Sequence, residues 1–183
     1  MSVPIRPLLP ARARVLLVAA LGTPLVAATS AQARVRAAPR CRTSGLAIYL
    51  REFSGSNTEF AEKIEFRNIS HGRCTLDGHP RVVAVDRKGR QLGAPAAAST
   101  EAPRAITLRP GHTTAALLNV VRVETEPSGS ECKPDQAAAL RVYPPGATVA
   151  RRVAWRGEVC LDPNFHPGFF ESVMRVSVVG AIG

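Results

Sequence analysis

The side chains of this chain best suited to covalent or metal chemistry are four cysteines, four histidines and one Ser-x-x-Lys tetrapeptide. Cys41, Cys74, Cys132 and Cys160 never fall within twenty residues of one another, whereas a zinc site draws on close Cys or Cys/His pairs. His71, His79, His112 and His166 stand in turn-rich surroundings and form no His-x-His or His-x-x-x-His pair. Ser130-Glu131-Cys132-Lys133 matches the pattern of penicillin-recognising enzymes, which need the serine to open a helix and further motifs elsewhere. Here the tetrapeptide lies in a polar loop and those motifs are missing, so the match is accidental. No Gly-x-Ser-x-Gly elbow occurs. The expectation is a domain without catalytic residues, metal or cofactor. A metal carrier or hydrolase would have to assemble its site from distant loops, and the mark of one would be a cleft joining two histidines, or a histidine and a carboxylate.

The cysteines then read as crosslinks. An exported chain with four of them implies two disulfides, for which three connectivities exist. Pairing near neighbours, Cys41 with Cys74 and Cys132 with Cys160, is favoured because each bond then ties a strand or its adjacent loop to the next. The most unusual loop is residues 162–170, where Phe165, Phe169 and Phe170 stand among Pro163, His166, Pro167 and Gly168. Its rings either complete the core or form an aromatic patch for a partner. Phe170 is expected inside and Phe165 most exposed, making Phe165, His166 and Phe169 the candidate partner-binding loop.

The segments that must position these residues begin with an export signal. Arg6, Arg12 and Arg14 precede an apolar run over residues 15–28, shorter than the roughly 20 residues of a membrane span. Ala31-Gln32-Ala33 offers the small-x-small cleavage pattern. Residues 1–33 are therefore expected to be a signal peptide, 34–40 a flexible segment and 41–183 a single domain. Cleavage removes three arginines and no acidic residue, lowering the formal charge from +10 to +7. Such a protein is drawn weakly to anionic lipid or wall polymer at low salt. Only Lys63, Lys88 and Lys133 are lysine, a coding bias more than a phosphate-reading surface, and no nucleic-acid partner is expected.

Along the domain, alternation marks strands at residues 46–53 and 60–68, where Ile64 and Phe66 face the core. Asn68 closes the second strand, its side chain bonding its own backbone in a turn. Further strands are expected at 82–85, 105–108, 112–123, 140–143, 149–155 and 170–179, with Pro110-Gly111 as a type II turn. Residues 93–103, rich in Ala, Pro and Ser, read as a long mobile connection. About eight short strands with Pro/Gly punctuation and no convincing helix make an all-β, immunoglobulin-like β-sandwich.

Asn68, Cys74-Thr75-Leu76-Asp77-Gly78-His79-Pro80, Leu108-Arg109-Pro110-Gly111, Cys132 and the run from Leu140 through Pro144-Pro145-Gly146 resemble the family called domain of unknown function 4232. These are exported actinobacterial proteins, many of them lipoproteins; the resemblance spans roughly residues 41–179. It implies a β-sandwich with the near-neighbour disulfides and brings no activity. Cys41 lacks the lipid-anchor context of many members. In a bacterial chain the sequon Asn68-Ile69-Ser70 is accidental. The expected role is a secreted, monomeric, non-enzymatic module, binding or structural at the cell envelope, with an envelope protein or glycan as partner. The remaining rival is a secreted protease inhibitor, whose rigid loop would be residues 124–132.

Overall fold

The computed structural model describes residues 37–123, 132–165 and 172–182. The expected signal peptide lies outside them, and Arg36–Gly183 forms one compact unit. Ten strands occur among the described residues: β1 (Leu46–Gly55), β2 (Glu59–Asn68), β3 (Cys74–Asp77), β4 (Arg81–Val85), β5 (Ala97–Ala98), β6 (Ala105–Leu108), β7 (Thr113–Val121), β8 (Pro134–Tyr143), β9 (Arg151–Cys160) and β10 (Met174–Val176).

They form an all-β sandwich. One sheet has the order β1-β2-β7-β10-β5, the facing sheet β4-β8-β9, and β3 pairs with β6 in a two-stranded ribbon. The orders β1-β2-β7 and β4-β8-β9 are those of strands A-B-E and C-F-G in an immunoglobulin domain. The position beside β7 is taken by the C-terminal β10. Ile64, Phe66, Ala116, Leu118 and Val120 from one sheet meet Val82, Ala84, Leu140, Val142 and Trp155 from the other in a single core, which Leu76 and Leu108 of the ribbon extend. Burying each of the Val, Leu, Ile and Phe side chains among them contributes about 1.5–3 kcal/mol. On the outer face of the smaller sheet, Val83, Val85 and Ala139 form a satellite cluster against Tyr143, whose ring lies 3.6 Å beneath the Arg81 guanidinium.

Asn68 holds one end of the sandwich together. It is fully buried, and its Nδ2 donates to the carbonyls of Gly72 (2.8 Å) and Leu108 (3.1 Å). Its Oδ1 accepts from the Ser70 N–H (2.9 Å) and hydroxyl (2.7 Å), the expected turn at the end of β2. A buried amide with all these groups paired ties the β2–β3 turn to the end of β6. Gly111, at φ +78°, takes the left-handed position of the β6–β7 turn, where His112 N–H donates to Arg109 O.

Several elements differ from expectation. Residues 74–77 are a strand, paired with β6 and flanked in parallel by the chain at Arg40. Thr75 N–H donates to Pro39 O at 2.8 Å and Cys41 N–H to Thr75 O at 3.0 Å, so the last residues of the segment expected to be flexible lie along β3. Nor is the expected mobile connection at 93–103 free. Leu92 and Ala96 donate to the carbonyls of Ala84 and Val82 on β4, and β5 then pairs in parallel with β10. This stretch covers the edge of one sheet and crosses to the other. β8 starts at Pro134 because it pairs with an equally extended β9. The last strand is shorter than residues 170–179: beyond Val176 the chain turns, and Ser177 bonds Leu117 of β7 through both its N–H (2.9 Å) and its hydroxyl (2.8 Å).

Candidate functional site

On the inner face of β1 the alternation Leu46, Ile48, Leu50 is continued by Glu52. On β2 the series Asn68, Phe66, Ile64 is continued by Glu62 and Phe60. Glu52 and Glu62 are directly opposed across the two strands. In strand phase both carboxyls fall on the inner side, but here the sandwich opens, leaving Glu52 exposed and Glu62 half-buried. They border a cleft of about 380 Å³, completed by Arg122 beyond β7, Gln136 of β8 and Arg156, Gly157 and Glu158 of β9.

The walls are irregular at this point. The β1–β2 register shifts between Glu52 and Ser54, and in the β8–β9 pair Trp155 and Arg156 stand against Ala138 alone. Such bulges bend and twist strands locally and recur beside binding sites. Trp155, the one tryptophan of the chain, is buried beneath the cleft, with its ring 6.3 Å from that of Phe60. Gly157 makes this placement feasible, since a Cβ there would overlap Cζ2 and Cη2 of the indole. Arg122 lies over Phe60 (5.0 Å) and donates through Nε to Ser56 O at 3.0 Å. Gln136 Nε2 donates to Glu158 Oε1 at 2.7 Å.

The electrostatics follow from this packing. Burial pushes the Glu62 carboxyl above its ordinary range, the neighbouring Glu52 adds to that, and the Trp155 indole opposes it. The indole N–H is fully buried and has no partner in hydrogen-bonding geometry among the described residues, yet stands close enough to Glu62 to favour its ionised form. Neither Glu52 nor Arg156 makes an ion pair with a described residue. A wider hollow of about 590 Å³ beside Cys41 has Arg40 and Arg42 on its rim, but the buried Thr43 hydroxyl there already donates to Val149 O at 2.7 Å.

The disulfides are Cys41–Cys74 and Cys132–Cys160, with Cα–Cα distances of 4.8 and 5.0 Å. The first fastens the chain entering the domain to β3. The second closes the open end of the β8–β9 hairpin, where Leu161 N–H also donates to Lys133 O. Phe165 is half-buried and packs against the core. His166, Phe169 and Phe170 lie outside the described residues, as do Ser130, Glu131 and the rest of the loop at 124–131. His71 and His112 are exposed in separate turns.

His79 does meet a carboxylate through a third group: its Nε2 lies 3.2 Å from Ser99 Oγ, which donates to Glu101 Oε2 at 2.9 Å. In a serine hydrolase the imidazole stands between hydroxyl and acid. Here the hydroxyl stands in the middle, its proton committed to Glu101, and the chain of bonds fastens the β3–β4 turn to the segment after β5. Among the described residues no group of three His, Cys, Asp or Glu is placed to hold a metal ion.

A family model described as a domain of unknown function (DUF4232) matches residues 41–167. The chain belongs to this family. No curated protein and no solved structure is similar to it. In this DUF4232 domain the matched span begins at the first disulfide cysteine and includes every residue lining the cleft. Sequence reasoning passed over Glu52, Glu62 and Trp155. The available signal was phase: both glutamates fall in step with apolar inner-face residues, where a carboxylate violates the strand pattern.

Proposed function

We infer that this DUF4232 domain is an exported, non-enzymatic module that binds at the cell envelope through the cleft between the β1–β2 and β8–β9 hairpins. The observation carrying this reading is the opposed pair of an exposed Glu52 and a half-buried Glu62 at the open end of the core, with Trp155 buried beside them. A carboxyl kept partly out of water costs stability. Local violations of the folding pattern concentrate where a protein does its work. Export is supported by the two disulfides, which persist in oxidising surroundings, and by the signal-like residues 1–33. The His79–Ser99–Glu101 order gives the hydrolase reading no support.

Co-sedimentation of the secreted protein with isolated cell envelope tests the reading. Saturable retention is expected, and a protein left wholly in the supernatant would refute it. Mass spectrometry of the same secreted protein is expected to find an N-terminus at Arg34. A chain retaining residues 1–33 would mean that it stays anchored to the membrane.

A further inference from the structure

We propose that the cleft is a saccharide site, taking one or two sugar units of an uncharged envelope glycan. This rests on the binding-module reading above and names the ligand chemistry. The cleft holds three carboxyl groups, Glu52, Glu62 and Glu158, and two guanidinium groups, Arg122 and Arg156, with the Gln136 amide between them. Ionised carboxylates only accept hydrogen bonds, and guanidinium groups only donate them. Glu52 and Arg156, which make no ion pair with a described residue, leave an acceptor and a donor for a ligand that both donates and accepts from neighbouring atoms, and vicinal hydroxyls do so.

Two further features point the same way. The Trp155 N–H, on a residue 5% exposed, has no hydrogen-bond partner among the described residues and stands near the Glu62 carboxyl, whose ionised, accepting form it favours. The Phe60 ring supplies the apolar surface against which the C–H face of a sugar packs. A cationic ligand fits less well. It would find Arg122 already over Phe60, Arg156 among the lining groups, and a secreted protein of formal net charge +7 repelling it. An anionic ligand would meet the opposed Glu52 and Glu62.

Trp155, as the one tryptophan, reports on the cleft directly. Its emission is to be followed while the secreted protein is titrated with the neutral oligosaccharide fraction released from isolated envelope by mild hydrolysis, and separately with spermidine. The expected result is a saturable change with the neutral oligosaccharides and none with spermidine. Glu62→Gln and Glu52→Gln, which preserve shape, should each weaken binding about tenfold, as loss of a hydrogen bond to a charged acceptor does. A flat response to the neutral fraction, undiminished affinity in both variants, or a response to spermidine in its place would each overturn the saccharide assignment. If the wild-type protein still co-sediments with intact envelope while the neutral fraction fails, only this inference falls. If it does not co-sediment, the binding-module reading falls with it.

Discussion

Glu62 is held under opposing influences: burial and Glu52 favour its neutral form, and the Trp155 N–H favours its charged form. The first influences dominate, so the folded state holds this proton more tightly than the unfolded chain does. Stability is therefore drawn down as pH rises from the ordinary carboxyl range through the raised folded value, and stays lowered above it. Glu62→Gln should accordingly raise the Tm at pH 7 and lose that advantage near pH 3, which calorimetry at the two pH values reads directly. An equal effect at both would mean that packing, not charge, decides. Beside it, Gly157→Ala forces a methyl group into the Trp155 ring. Such overpacking costs about 1–3 kcal/mol. Urea unfolding should show that loss together with a shifted tryptophan emission, since the ring must move to admit the methyl group. Glu62 carried only the phase signal in the sequence, and Gly157 carried none. The register sets Glu62 against Glu52 and makes that signal conspicuous, whereas Gly157 stands out only once a bulge brings the indole across it.

At the scale of elements, alternation located β1, β2, β6 and β7 to within a few residues, because each shows one face to the core and one to water or to a thin cover. β5 is two alanines, too short for any period, and exists through its parallel pairing with β10 some eighty residues later. β3 was hidden for a related reason: its four residues sit between turns, and their partners β6 and residues 39–41 are distant in the chain. The cysteine pairing was legible, since each bond joins a cysteine to the next one along the chain. The chain-entropy model gives each bond about 3.5–4 kcal/mol of stabilisation, from sequence separations of 33 and 28. The two differ in what else they hold. Replacing Cys132 and Cys160 by serine should cost that stability and weaken envelope retention, because the bond closes the hairpin that forms one wall of the cleft. Replacing Cys41 and Cys74 should cost a similar amount and leave retention unchanged at temperatures where the domain stays folded. Denaturant unfolding and co-sedimentation on the same pair of variants separate the two roles.

For the molecule as a whole, the sandwich resembles other β domains in its core and departs from them where β1–β2 and β8–β9 diverge. There the inner-face pattern turns from apolar to charged, and the space between the sheets becomes a cleft instead of core. The central claim is that this opening, and not the outer faces, is where the domain meets its ligand. The most direct test is an amide-shift map of isotope-labelled protein with and without the neutral oligosaccharide fraction of the envelope. The account predicts perturbations concentrated at Glu52, Phe60, Glu62, Gln136, Gly157 and the Trp155 indole N–H, with Val83, Val85 and the turn at Gly111 unmoved. Perturbations centred on residues 162–165 or on the Tyr143 face, with the Trp155 indole signal unchanged, would contradict it.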